Sequence, residues 1–434
     1  MHRSLTLSLI GLVSIGIAAC QEENPTAFAS DLLLKETITL EIEIPWEDFA
    51  SDLEVFGGYG APWELGTGVV AKGFAEILNA RTLVRFATYP KVHQVRDTTG
   101  TTRPDSSLTF VGGRVVAFFD TIASTNNGPV ELGLGATQTP WDKRTVTWVT
   151  AVDTLNDLRL WPQPGAGPVT SIGTTVWDPA EGDSAWFELD SLQVEAWADT
   201  ADVSRGARIE SLTDNARLQV SRVVLRLDTR PSSNPDTVIV LSAQRDEISF
   251  VYDPIPEAPA NGIRIGGAPA WRTVLNVKIP TYLDGPAELC VAAGGCPLEL
   301  KPQQLNYAAI TLKSERGEQA FQPTDSIGLD VRQVLRRDAL PKAPLGESLT
   351  GLLGQRVGPD AFGVKSGTDI EIPITEFVRG LLGSQDEINP TKTLALLSVF
   401  EPISIAYASF HGPGDENGPV LRLVITVGRA MELP

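Results

Sequence analysis

The chain has 434 residues, 54 of them acidic against 35 basic, for a formal charge of −19 at pH 7. That length allows two or three domains with full hydrophobic cores. The charge balance excludes nucleic acid as the expected partner, because phosphate binding needs clustered Lys and Arg to release counterions. It argues equally against docking on anionic lipid headgroups, and is read first as solubility and repulsion between copies.

Met1-His2-Arg3 opens the chain with positive charge, and residues 4–16 then run without an acid or base and are rich in Leu and Ile. Ile17-Ala18-Ala19 adds small residues immediately before Cys20. The apolar run is too short to span a bilayer and small residues follow it at once, which marks a secretory signal rather than a membrane helix. With cysteine at the cut, the segment resembles the lipobox of a bacterial lipoprotein. That resemblance implies removal of the signal peptide, residues 1–19, and acylation of Cys20 by chains such as palmitate, which become the membrane contact. Residues 20–35 are then a lipidated tether. Gln21 stands where an Asp would resemble an inner-membrane retention signal, so the expected location is the cell envelope, at the outer membrane.

Beyond the tether the sequence reads as β. Residues 36–44 alternate polar and apolar with period two and stop at Pro45. Residues 82–86, 114–119, 145–149 and 220–227 are further predicted strands, separated by turn formers at 126–129 and 164–168. Helical patterns are short, at 69–78, 192–198 and 376–382. The 31 Pro and 39 Gly leave little room for long helices, and short strands at regular spacing predict sandwiches or barrels.

The second half repeats the order of the first. Glu36-Thr37-Ile38-Thr39-Leu40 corresponds to Asp236-Thr237-Val238-Ile239-Val240, and Arg81-Thr82-Leu83-Val84-Arg85-Phe86 to Arg272-Thr273-Val274-Leu275-Asn276-Val277. Residues 112–118 correspond to 306–312, 185–190 to 370–375, and 223–227 to 420–424. Two copies of one domain are predicted, 36–235 and 236–434, with the boundary near Ser232-Ser233-Asn234-Pro235. The Arg-Thr-Leu-Val-Arg-Phe strand, the later Trp141-Asp142-Lys143-Arg144-Thr145-Val146-Thr147-Trp148, and Phe187-Glu188-Leu189-Asp190 leading to Trp197 resemble the bacterial DNRLRE-type domains. Asp214-Asn215-Ala216-Arg217-Leu218-Gln219 matches the name motif loosely, and the second copy lacks the Thr-Val-Thr-Trp signature. The resemblance implies two tandem jelly-roll-like β-sandwich domains, an all-β fold related to carbohydrate-binding modules.

Hydrolytic and nucleotide signatures are missing, so no catalytic residue is assigned. His93 and His411 are too few for a histidine metal site, and no metal is expected. Cys290 and Cys296 flank a Gly-Gly loop and suit a local disulfide in an oxidising compartment. The acidic loop 412–419 offers oxygen ligands for a structural Ca²⁺ but lacks the alternating spacing of a calcium loop, and a plain turn is favoured. Glu188 and Asp190 alternate onto one strand face and are the pair a carbohydrate-active enzyme would use.

Six of the nine tryptophans fall between 141 and 197. Strand parity sends Trp148 to the apolar face and Trp186 opposite Phe187, and Trp197 reads as core. Trp161 and Trp177, in Pro/Gly-flanked loops, are the candidates for a surface that stacks on sugar rings. The expected function is a non-catalytic, membrane-anchored envelope lipoprotein that binds or displays, with polysaccharide as the ligand class implied by the resemblance. A structural or protein-interaction lipoprotein is the alternative, and a carbohydrate-active enzyme comes last.

Overall fold

The computed structural model describes residues 37–198, 206–268, 270–384, 392–399, 401–402 and 404–428. The signal peptide, Cys20 and the tether lie outside the described residues. No described helix is long and apolar enough to cross a membrane.

The first half runs through β1 (Thr37–Pro45), β2 (Ala50–Tyr59), β3 (Gly68–Phe74), β4 (Leu78–Thr88), β5 (His93–Arg96), β6 (Thr102–Asp105), β7 (Leu108–Thr125) and β8 (Val130–Thr137). It continues with β9 (Thr150–Thr154), β10 (Asp157–Leu160), β11 (Val169–Trp177), β12 (Ser184–Leu189), β13 (Gly206–Ser211) and β14 (Ala216–Pro231). The second half opens with β15 (Ile239–Asp253), β16 (Ile263–Gly266), β17 (Ala270–Val277), β18 (Tyr282–Leu283), β19 (Leu298–Glu299), β20 (Leu305–Glu315) and β21 (Ile327–Val334). It closes with β22 (Leu345–Ser348), β23 (Gln355–Val357), β24 (Asp369–Pro373), β25 (Thr393–Ser398), β26 (Tyr407–Phe410) and β27 (Val420–Gly428). The helices are α1 (Trp46–Phe49), α2 (Ser191–Ala198), α3 (Ala287–Ala293) and α4 (Thr375–Gly383).

The fold is all-β, built from two large antiparallel sheets that each curl into a sandwich-like body. One sheet has the order β11-β8-β13-β4-β15-β14-β7-β12, with β3 pairing β14 and β4. The other runs β1-β27-β20-β26-β16-β17-β25-β21-β22, with β2 on β17, β23 on β21 and β24 on β20. The pairings repeat: β7 lies between β12 and β14 as β20 lies between β24 and β27, and β13 joins β4 to β8 as β25 joins β17 to β21.

Sheet membership crosses the 235/236 boundary in both directions. β1 pairs with β27 from Thr37↔Gly428 to Pro45↔Val420, and β2 pairs with β17, so the first strands of the chain complete the second sheet. Reciprocally, β15 pairs with β14 through 239–243 and with β4 through 244–253, completing the first. The two segments play one role: each edges one layer and then turns into the other, β15 as a bent strand and β1–β2 around the single turn of α1. Packing agrees with pairing, since Ile44, Phe49 and Ala50 belong to the second core and Ala243 and Ile248 to the first. A third apolar cluster joins the two bodies, with Val69, Phe74, Leu78 and Phe250 against Trp271, Phe321 and Tyr407.

Two local expectations change. Residues 69–78, read as helical, form β3 and the start of β4, joined by a turn with Ala75 and Glu76 at φ 51° and 70°. Val70 faces the first core while Val69 and Ala71 face the cluster between the bodies, so a strand buried on both sides carries the unbroken apolar run of a helix. Residues 145–149 are turn and bend rather than strand. The Asp142 carboxylate accepts from the Arg144 and Thr145 amides at 3.0 and 3.1 Å and holds the segment in a loop.

The peptide at the boundary is pinned by one carboxylate. Asp105 accepts from the Ser233 hydroxyl at 2.6 Å, the Ser233 amide at 2.7 Å and the Ser107 amide at 2.8 Å. These donors, the Ser233 hydroxyl first, hold its pKa down at about 2 against an ordinary 3.8. A depressed carboxylate stabilises the fold fully above its unfolded value and loses that contribution as pH falls through about 4 toward 2. Wild-type stability should therefore drop over that window in urea titrations, and Asp105→Asn should lower the plateau near pH 6 and flatten the drop. An unchanged acid slope in the variant would refute this assignment.

Candidate functional site

Trp161 and Trp177, expected at the surface, are instead buried, at 5% and 1% exposure. Trp177 ends β11 and packs on Phe119 with ring centroids 4.8 Å apart, its indole N–H donating to the Gly182 carbonyl at 3.0 Å. Trp161 donates to the Thr147 carbonyl at 3.0 Å and joins Trp141, Val146, Leu83 and Val251 in a cluster over the outer side of β4 and β15. The Gly and Pro residues flanking them make turns that fold each indole back onto the sheet. Sugar rings cannot stack on either.

This lid also brings the 81–86 strand and the 141–148 segment together. Arg81 stacks on Trp148 at 5.0 Å and Arg85 on Trp141 at 4.5 Å, and Arg85 donates to the Trp141 carbonyl at 2.6 Å while pairing with Glu247 at 2.7 Å. The arginines of the 81–86 strand thus clamp the tryptophans of 141–148. Trp197 lies in the first core, against Phe86.

The most exposed tryptophan is Trp186, 54% exposed on β12. Ala185, Phe187 and Leu189 point into the core, so Ser184, Trp186 and Glu188 face outward. The same alternation on β7 and β14 buries Val115, Ala117, Val223 and Leu225 and turns Arg114, Val116, Phe118, Arg222, Val224 and Arg226 outward. Register sets three rows across β12, β7 and β14: Ser184–Phe118–Arg222, Trp186–Val116–Val224 and Glu188–Arg114–Arg226. Val116 is only 5% exposed yet belongs to no core cluster, so its cover comes from this outer face.

Arg114 and Arg226 are direct cross-strand partners. Like charges in that position are destabilising. Among the described residues neither forms an ion pair, and the Nε of Arg114 is buried without a hydrogen-bond partner. Arg222 stacks on Phe118 at 4.1 Å. The face combines an exposed indole with guanidinium groups that form no ion pair among the described residues, with Glu188 as the one carboxylate in their rows, on a chain of charge −19. Chemically it offers an aromatic plane beside forked donors suited to carboxylate or sulfate oxygens.

Glu188 and Asp190 line an open groove of about 520 Å³ beside Thr170, Ser171 and Gln193, where the edge strands β11 and β12 approach one another. Asp190 is engaged structurally: its carboxylate accepts the Gln193 amide at 2.7 Å and its carbonyl the Val194 amide at 3.2 Å, which caps α2.

Cys290 and Cys296 are joined as a disulfide. In the acidic loop, Asp415 accepts the Asn417 amide at 2.8 Å and faces His411 Nδ1 at 3.2 Å, while Asn417 accepts from Lys313 at 3.2 Å. These donors serve a turn, and among the described residues no three His, Cys, Asp or Glu side chains gather as a metal site. Sequence parity had already turned Trp186 outward. The arginine rows became legible only once β7 and β14 were aligned, because 114 and 226 are far apart in the chain. No protein-family profile, curated protein or solved structure matches the chain.

Proposed function

We propose that the protein is a non-catalytic, lipid-anchored envelope component that holds acidic polysaccharide on the outer face of β12, β7 and β14. The observation that carries the reading is the exposed Trp186 beside the opposed, unpaired Arg114 and Arg226. An indole plane supplies stacking to a sugar ring, and the two arginines, with only Glu188 beside them in their row, offer forked donors to its carboxylates. The lipobox-like segment ending at Cys20 supplies the anchor in this reading. Its tether leads into β1, which lies in the second sheet, while the polysaccharide face is carried on the first.

Binding of the full chain to polygalacturonate and to its fully methyl-esterified form, by titration calorimetry, tests this. Trp186→Ala should weaken binding about tenfold, the equivalent of ~1.4 kcal/mol. Arg114→Gln with Arg226→Gln should abolish the preference for the acid form. Absence of binding to any polysaccharide, or an undiminished affinity in Trp186→Ala, would reject the proposal. A second reading, attachment to another envelope protein, rests on the β9–β10 hairpin, where Leu155, Leu158 and Leu160 are 97%, 67% and 63% exposed. Leu155→Ser with Leu158→Ser should leave polysaccharide affinity unchanged and reduce crosslinking to envelope partners only under that reading.

A further inference from the structure

A cleft of about 250 Å³ lies where the two bodies meet, and Arg217 of β14 lines it. Thr67, Gln219 and Ser221 contribute from the first body, and Thr324, Ser326 and Ser404 from the second. Arg217 is 4% exposed, with its guanidinium over the Phe74 ring at 5.2 Å. It donates to the Ala320 carbonyl at 2.8 Å and more weakly to the Gln322 carbonyl at 3.4 Å. Among the described residues no carboxylate pairs with it. A guanidinium taken out of water without a counter-charge is costly, and neutral carbonyls compensate only part of that cost. Burial lowers its pKa to about 10, still well above neutrality, so the charge persists.

The polar groups around the cleft are arranged rather than incidental. Gln219 Nε2 donates to Thr67 Oγ1 at 3.0 Å and to the Gly68 carbonyl at 3.1 Å. Thr324 donates to the Ala123 carbonyl at 3.2 Å, bridging the two bodies beside the opening. The carboxylates of Asp120 and Asp325 also line the cleft, but accept backbone amides: those of Ile122 and Ala123 for Asp120, and that of Ser326 for Asp325.

We infer that this cleft binds a small, singly charged hydroxycarboxylate, with Arg217 as its counter-cation and the surrounding hydroxyl and amide groups as partners for its hydroxyls. The space equals roughly eight waters at about 30 Å³ each, room for a small ligand. Charge disfavours a dianion, because Arg217 is the one cation among the lining residues and balances a single negative charge, while Asp120 and Asp325 on the lining repel a second. Both bodies form the walls, so the ligand would stabilise their docking by mass action. The site is separate from the β12–β7–β14 face and does not depend on the polysaccharide reading.

Thermal unfolding of the full chain with D-gluconate, lactate, glucose or inorganic phosphate tests the inference. Gluconate and lactate should raise the midpoint saturably by about 2 °C or more, and glucose should not. Arg217→Met should lose the shift. Because that variant is at risk of misfolding, Ser221→Phe, made at an exposed position on the cleft wall, should keep the unliganded midpoint and also lose the shift. Arg114→Gln with Arg226→Gln should keep it, which separates this site from the polysaccharide face. No response to either acid, an equal response to glucose, a stronger response to phosphate, or a shift that survives in Ser221→Phe would overturn the assignment.

Discussion

Expressed apart, residues 37–235 and 236–434 should each fail to give a cooperative unfolding transition, whereas residues 60–253 should unfold cooperatively by themselves. A cut at 235/236 follows the sequence repeat but severs both sheets. The C-terminal piece loses β1, α1 and β2, leaving β27 and β17 each short of one neighbour. It also loses Ile44 and Phe49, 5% and 0% exposed, which alone represent about 3–6 kcal/mol of burial at 1.5–3 kcal/mol per side chain. That is comparable with the whole stability of a domain, about 5–15 kcal/mol. The N-terminal piece loses β15, with Phe250 and Ile248, and exposes the edges of β14 and β4. Residues 60–253 retain every strand of the first sheet. Co-expression of the two unfolded pieces should restore a folded complex. Cooperative, native-like unfolding of either piece alone, followed by circular dichroism in urea, would refute the exchange of strands.

Trp177→Ala should be among the most destabilising single substitutions, costing about 3–5 kcal/mol as a large buried aromatic truncated to a methyl. The indole is 1% exposed, packed against Phe119 at a tilt, and its N–H is satisfied by Gly182, so the change removes packing and orphans a carbonyl acceptor together. Trp186→Ala, by contrast, should shift the urea midpoint little and act on polysaccharide affinity. The pair separates two roles for one residue type. A Trp177→Ala protein of near-native stability that had lost polysaccharide binding would place the functional aromatic at 177 after all.

Much of the architecture could be read from period-two alternation. Residues 37–44 form a strand as the alternation requires, with one face turned inward and the other wet, and 114–119 and 220–227, also read as strands, lie in β7 and β14. Alternation fails where that condition fails. β3 is apolar on both faces because both are covered, and its pattern is indistinguishable from a buried helix until its neighbours are known. Residues 145–149 look like a strand, yet Asp142 offers their amides a local partner that wins over a ladder. Loop composition misplaced Trp161 and Trp177 for a related reason: Gly and Pro report a turn, not the direction in which the turn sends a side chain.

The sequence by itself determined the all-β character, the repeated order of strands and the cysteine that an anchor would use, since each depends on residues close together in the chain. Tertiary structure alone decided which sheet each repeat's first strand completes, that Trp161 and Trp177 are buried, and which arginines oppose each other or sit buried without a counter-charge. Those outcomes arise from pairing across a hundred residues or more. Strand exchange leaves the local hydrophobic pattern unchanged, because either sheet presents the same kind of edge to the incoming strand.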